Sequence, residues 1–205
     1  MQRNSGQNNM KIKEVSERQL EIIEAAGKIL TSEGVSGLTI KNLARQMGFT
    51  EAAVYRHFTS KEEIIVSMLG YLADSMDARY GGLPQGAGPE ERFKALFHEQ
   101  FRFFKKNPHF AVAVFSDGLM EESKRINETI ARIMAVKMKH LVPVLRQGQA
   151  NGIFTKAVPL ENLLHIVMGA IRLQMFKWRV SNFQFDIKKA GDNMIESILI
   201  LIKQK

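Results

Sequence analysis

A chain of 205 residues without a single cysteine carries 29 Lys and Arg against 21 Asp and Glu, a net charge of +8. The missing cysteines exclude disulfides, thiolate metal sites and cysteine nucleophiles and suit a reducing compartment, while the length fits one medium domain, or a small one plus a medium one, with a real core. Residues 1–61 hold nine cations against six acids and residues 62–205 twenty against fifteen, so the positive surplus is spread along the chain and supports a polyanionic partner only mildly.

Residues 1–15 are polar, with no apolar run; they read as a disordered tail and not as a signal peptide. Arg3, Lys11 and Lys13 are available there to touch a polyanion, although a plain solvated tail is the simpler account. Ser16 and Gln19 form a capping-box pattern that opens helix one. Leu20, Ile23, Ala26, Ile29 and Leu30 fall on one face, and Gly34 ends it.

The most informative stretch is Leu38–Lys61, LTIKNLARQMGFTEAAVYRHFTSK. Ile40, Leu43, Ala44 and Met47 recur at helical spacing. Gly48 supplies the left-handed residue that stops this helix sharply, Phe49 plugs the corner, and Thr50 caps a second helix through Ala52, Ala53, Val54, Tyr55 and Phe58. Two short helices joined by a tight Gly-containing turn form a helix-turn-helix, whose second helix enters a DNA major groove. With Ala53, Val54 and Phe58 turned inward, Glu51, Ala52, Tyr55, Arg56 and His57 are left outside or at the rim. Phenol, guanidinium and imidazole all donate to phosphate, and small alanines let a helix approach the bases. A hairpin that merely packs a bundle is the competing account. Lys41, Arg45, Arg56 and Lys61 stand against the single Glu51 here; Arg45 is included for its exposed position.

This segment resembles the DNA-binding domain of TetR-type transcriptional regulators: an amphipathic first helix over Arg18–Thr31, the hairpin, and Val54-Tyr55-Arg56-His57-Phe58 followed by Ser60-Lys61-Glu62-Glu63. The resemblance is close over about Gln19–Leu69; beyond that only length and helical texture agree. It implies that Thr39 and Lys41 contact phosphates or base edges and that Thr50, Glu51, Ala52 and Ala53 open the recognition helix. It further implies that Tyr55 and His57 sit on backbone phosphates and that Lys61 holds a phosphate from the start of helix four, where free N–H groups also favour anions. Arg56 falls at a position that varies in the family.

Ser60 and Glu63 repeat the capping box before helix four, which carries Ile64, Ile65, Met68, Leu69 and Leu72 and joins head to body. Gly81–Pro89, GGLPQGAGP, is a flexible connector; no strand precedes it and no Gly-Lys-Ser/Thr follows, so it is no phosphate loop. Helix five spans about Glu90–Lys106 up to Asn107-Pro108, and helix six His109–Leu119. Helix seven runs from about Glu122 towards Gln149, with a kink or break expected at Pro143. Its Lys124, Arg125, Arg132, Lys137 and Lys139 read as a solvated basic face, a membrane surface being the alternative. Helices eight (about Leu160–Val180) and nine (about Ile187–Lys203) finish the chain. The pattern predicts an all-α protein of about nine helices: a tail over 1–15, a helix-turn-helix domain over 16–61 and a helical effector-binding and dimerisation domain over 62–205.

Helix eight carries Leu160, Leu163, Leu164, Val167, Met168, Ile171, Met175 and Trp178; helix nine carries Ile187, Met194, Ile195, Ile198, Leu199, Leu201 and Ile202, with Ala190-Gly191 small enough for close contact. Such wide stripes are covered most easily by a two-fold four-helix interface, so a homodimer through helices eight and nine is expected, an arrangement the resemblance implies too. The body is rich in soft and aromatic residues, which suit a pocket for an apolar ligand as well as an ordinary core; TetR-type proteins usually bind a small molecule there. Candidate ligand contacts are Phe101, Phe104, Phe115, Met134, Met138, His165, Met168, Arg172 and Met175, with His98, Gln100 and Gln174 as further polar candidates.

No catalytic constellation emerges. His98-Glu99 lacks a second His four positions after the first, no Gly-x-Ser-x-Gly elbow occurs, and Asp117, Glu121 and Glu122 around His109 read as solvated surface. No metal and no cofactor are expected, and the apolar stretches are too short or too interrupted to span a bilayer. The expectation is a cytoplasmic dimeric regulator on double-stranded DNA, most simply a repressor released from a pseudo-palindromic operator by a small apolar ligand. The alternative is a DNA-binding scaffold whose body takes a protein partner.

Overall fold

The computed structural model describes residues 15–115, 119 and 123–204. The expectations placed on Arg3, Lys11 and Lys13 and on Asp117, Glu121 and Glu122 lie outside the described residues. Nine helices are present among those described: α1 (Glu17–Gly37), α2 (Ile40–Met47), α3 (Glu51–Tyr55), α4 (Lys61–Gly81), α5 (Pro89–Lys106), α6 (Pro108–Val114), α7 (Lys124–Ala150), α8 (Leu160–Val180) and α9 (Ile187–Ile202). The fold is all-α.

Local chemistry sets most of the boundaries. Ser16 Oγ accepts the Gln19 N–H at 3.3 Å while Gln19 Oε1 accepts the Ser16 N–H at 3.1 Å, a reciprocal cap that satisfies two orphan donors of α1. Gly34 interrupts α1 at φ 73°, and a last turn carries the chain on to Gly37. At α4, Ser60 Oγ accepts the Glu63 N–H at 3.1 Å, and the Glu63 carboxylate accepts the Thr59 N–H and hydroxyl at 2.6 and 2.7 Å. The second box thus reaches one residue further back than its spacing suggested. Helix α6 stops at Val114 instead of continuing to Leu119. No break occurs at Pro143: α7 is continuous across it. The proline is exposed, so the carbonyl that loses its partner can turn to water.

One buried core runs through the chain, and α1 and α4 carry it from head to body. In the head, Ile22, Ile23, Leu43, Val54 and Phe58 close on Ile64 and Ile65 from the first turns of α4. In the body, α4 lies along α7, α5 packs on α7 and α9, and α8 packs on α7 and α9. Helix α6 sits under α1 and makes the second joint between head and body, where the His109 ring presses on Gly27 so closely that a Cβ there would lie 2.7 Å from it. The connection after α7 is pinned to the end of α9 by Thr155 N–H to the Ile202 carbonyl (2.7 Å) and Gln204 N–H to the Ile153 carbonyl (2.9 Å).

The apolar stripes of α8 and α9 prove to be largely the protein's own interior. Leu163, Leu164, Val167, Ile171, Met175 and Trp178 are buried, as are Ile187, Ile195, Ile198, Leu199 and Ile202. Gly191 receives the Phe101 ring of α5 within the same chain. What remains outside is Ile166, Leu173, Phe176 and Val180 on α8, and Ile200 with Leu201 on α9; of these only Leu201 belongs to the expected stripes. Both helices carry apolar residues on two faces, and the intramolecular contacts take the richer one.

Candidate nucleic-acid interface and effector cavity

The reading hairpin is built by caps and a glycine. Thr39 Oγ1 accepts the Asn42 N–H at 3.1 Å to start α2. Gly48 adopts φ 67°, ψ 30°, and Phe49 N–H returns to the Ala44 carbonyl at 2.8 Å, closing the helix end. Thr50 Oγ1 then accepts the Ala53 N–H at 3.2 Å and opens α3. Two buried side chains hold this helix down, Val54 and Phe58. The guanidinium of Arg18 lies 4.6 Å from the Phe49 ring centroid and braces the corner from α1.

Of the anticipated DNA contacts, Thr39, Lys41, Arg45, Thr50, Glu51, Ala52, Tyr55 and Arg56 are exposed on α2, α3 and their caps, Tyr55 at 50%. Ala53 and His57 are half-buried, and the His57 carbonyl accepts Gln19 Nε2 from α1 at 3.2 Å. Lys61 is half-buried as well, and its ammonium donates to the Val35 carbonyl at 3.3 Å, tying the start of α4 to the end of α1. Lys41, Arg45 and Arg56 make no ion pair with any described residue. The cations of α7 contrast with them. Arg125 pairs with Glu62 at 3.4 Å, Arg132 with Asp74, and Lys139 with Asp77 at 2.8 Å, so the supposed solvated face of α7 is stapled to α4. Lys139 first, and His140 beside it, hold the Asp77 carboxyl below its ordinary range.

A second feature lies in the body. A cavity of about 200 Å³ between the end of α6, α7 and α8 is lined by Val114, Phe115, Ile130, Ile133, Met134, Lys137, His165, Met168, Gly169 and Arg172. Phe115, Met134, His165, Met168 and Arg172 were anticipated as ligand contacts. Phe101, Phe104 and Met175 do not line it: they are buried in the core, Phe101 in the notch left by Gly191. Met138 is 40% exposed and also outside the lining. Lys137 was missed as a cavity residue, although it stands four positions after Ile133 and seven after Ile130, on the apolar stripe of α7. His98 faces Asp192 at 3.3 Å. No group of three or more metal-ligating side chains occurs among the described residues, and no described helix is long and apolar enough to cross a membrane.

A capped hairpin that leaves its second helix exposed, flanked by unpaired cations and mounted on a larger helical body, defines a helix-turn-helix DNA-binding regulator. Residues 22–68 match the bacterial regulatory proteins of the tetR family, and residues 68–202 match the C-terminal region of YsiA-like proteins. The chain therefore belongs to the tetR family of DNA-binding transcriptional regulators. Over 172 residues it is 27% identical to the nucleoid occlusion factor SlmA of Vibrio campbellii, a match spanning 82% of this chain and 87% of that one. Its fold is similar to that of the TetR family regulator PfmR from Thermus thermophilus, with TM-score 0.74 and 25% identity, covering 87% of this chain and 97% of that chain. It is also similar to the regulator FadR from Bacillus subtilis, solved in complex with stearoyl-CoA, with TM-score 0.76 and 18% identity over 88% and 97% of the two chains.

Proposed function

We propose that the protein is a homodimeric repressor whose heads, residues 16–61, hold two half-sites of a pseudo-palindromic operator, and whose bodies, residues 62–205, release it when a small molecule enters the cavity between α7 and α8. The observation that carries the DNA half of this reading is the exposed helix Glu51–Tyr55 beside three cations with no described acidic partner. Two heads on a two-fold axis address half-sites about 34–36 Å apart, or a near multiple.

The coupling runs through α7. One face of this helix lines the cavity with Ile130, Ile133 and Lys137, and another is tied to α4 by Arg125, Arg132 and Lys139. Helix α4 begins at Lys61, against the end of α1. A ligand that favours a shifted α7 therefore favours a shifted head, and couplings of about 1–3 kcal/mol are typical of such linkage. The FadR neighbour was solved with a bound ligand, in keeping with a body that serves as an effector domain. The second reading, a DNA-bound factor whose body takes a protein partner, draws on the relative named for nucleoid occlusion and on the exposed apolar residues of α8 and α9. A cavity open to ligand favours the first.

Selection of an operator from random DNA tests the proposal, followed by titration of Tyr55→Ala and Lys61→Ala. Each substitution is expected to weaken operator binding about tenfold, and Lys61→Ala to lower the slope of log affinity against log salt by about one. Wild-type binding by both variants would remove the hairpin from the interface.

A further inference from the structure

The cavity lining is mostly apolar but includes two cations. Val114, Phe115, Ile130, Ile133 and Met134 form the greasy wall. Among them stand Lys137 from α7 and Arg172 from α8, the Arg172 guanidinium lying 5.3 Å from the Phe115 ring centroid. Arg125, Arg132 and Lys139 of α7 each have an acid on α4, whereas Lys137 makes no ion pair or hydrogen bond with a described residue. No carboxylate lines the cavity among the described residues. A half-buried ammonium beside a guanidinium, with no counter-charge, is costly to maintain. Behind it lies a smaller void of about 10 Å³ that shares Lys137 and Met168 with the first and adds Tyr80 and Gln100. Gln100 is 2% exposed, and neither its amide nitrogen nor its amide oxygen has a hydrogen-bond partner. An orphaned buried amide is rare unless something else completes it.

We infer that the cavity is built for a free organic acid: the carboxylate is held by Lys137 with Arg172 beside it, and a hydrocarbon tail lies against Phe115, Ile130 and Ile133. The effector role of such an acid rests on the reading of the body given above; its binding does not. Met168 lines both voids with a flexible thioether, and a rotation of that side chain that joined them would offer the carboxylate the Gln100 amide as a further donor. An apolar cavity of about 150 Å³ takes up a six-carbon ring, so roughly eight carbons is the scale of the tail. Burial first, and the charge of Arg172 second, bring the Lys137 ammonium down to about 8. The other titratable groups lining the two voids are Tyr80 from α4 and His165 and Arg172 from α8. A bound carboxylate favours the charged ammonium, so affinity holds below about pH 8 and falls above it, by up to about tenfold per unit.

The test is calorimetric titration of the full chain with octanoate, octan-1-ol and octanoyl-CoA, on wild type and Lys137→Met. Octanoate is expected to bind wild type at least tenfold more tightly than octan-1-ol and to weaken between pH 8 and 9.5. Lys137→Met is expected to lose the preference for the acid while still taking up octan-1-ol, which shows that the variant is folded and its cavity intact. Equal affinity for acid and alcohol in wild type overturns the inference. So does octanoyl-CoA binding with octanoate silent, which would move recognition to phosphates, and so does an absence of binding by all three. If octanoate binds as expected but leaves operator affinity unchanged, the acid site stands and the effector role falls.

Discussion

His109 shows how one side chain can set a pH limit on the whole fold. It follows Pro108 at the start of α6, its ring against Gly27 of α1, and burial pushes its pKa down to about 4. In the unfolded chain the imidazole titrates near 6.5, so between those values the unfolded state binds more protons than the folded one. Stability from this residue is complete above about pH 6.5 and is lost as pH falls towards 4, on the order of 2 kcal/mol after allowance for the exposed part of the ring. Asp77 acts in the same direction but in a lower window, because its carboxyl is held below 3.8 and its contribution disappears only as pH drops through that depressed value. Urea midpoints at pH 7 and 4.5 separate the two: His109→Phe is expected to remove most of the acid loss seen in wild type. An unchanged loss in the variant would show that the ring does not carry it.

At the scale of whole helices, the close approach of α5 and α9 depends on a missing side chain. A Cβ at Gly191 would sit well inside contact distance of the Phe101 ring, which has no exposure and no room to retreat. Gly191→Ala gains about 1 kcal/mol of helix propensity and loses about 1–3 kcal/mol to overpacking. We expect a net fall in the thermal midpoint, partly restored when Phe101→Leu makes space; a midpoint at or above wild type would mean that α9 shifts freely. The contrast with the head explains what the sequence could disclose. The hairpin was legible because its determinants are local: Thr39, Gly48 and Thr50 act within three or four residues of themselves. The staples between α4 and α7 join residues about sixty positions apart, and no periodicity marks Arg132 as the partner of Asp74. Lys137 sat in plain view on an apolar stripe, but the charges around it made α7 look evenly wet. The stripes on α8 and α9 predicted burial, and most of their residues are covered by the chain's own helices, since a pattern shows that a face is covered without showing by what.

For the molecule as a whole, the proposed dimer would join its two heads through the uncovered apolar residues. Ile166, Leu173, Phe176 and Val180 follow one another at intervals of seven, three and four along α8, one strip on one face of that helix, and α9 exposes Ile200 and Leu201, each about three-quarters exposed. A strip of this kind marks a contact surface, and in the proposed homodimer a two-fold axis places every residue of it at the interface twice. A single charge introduced there is therefore buried twice, and each lost leucine also forfeits about 1.5–3 kcal/mol of burial. Leu173→Glu is expected to raise the dimer dissociation constant at least a hundredfold, read by sedimentation at micromolar chain concentration. The thermal midpoint should fall only as far as loss of the dimer requires, because Leu173 contributes little to the core of its own chain. Operator affinity should collapse with the dimer and return when the variant is fused to a heterologous dimerising coiled coil, since the heads themselves are unchanged. A Leu173→Glu chain that remains dimeric and binds the operator normally would place the interface elsewhere on the body, and with it the geometry that spaces the two reading helices.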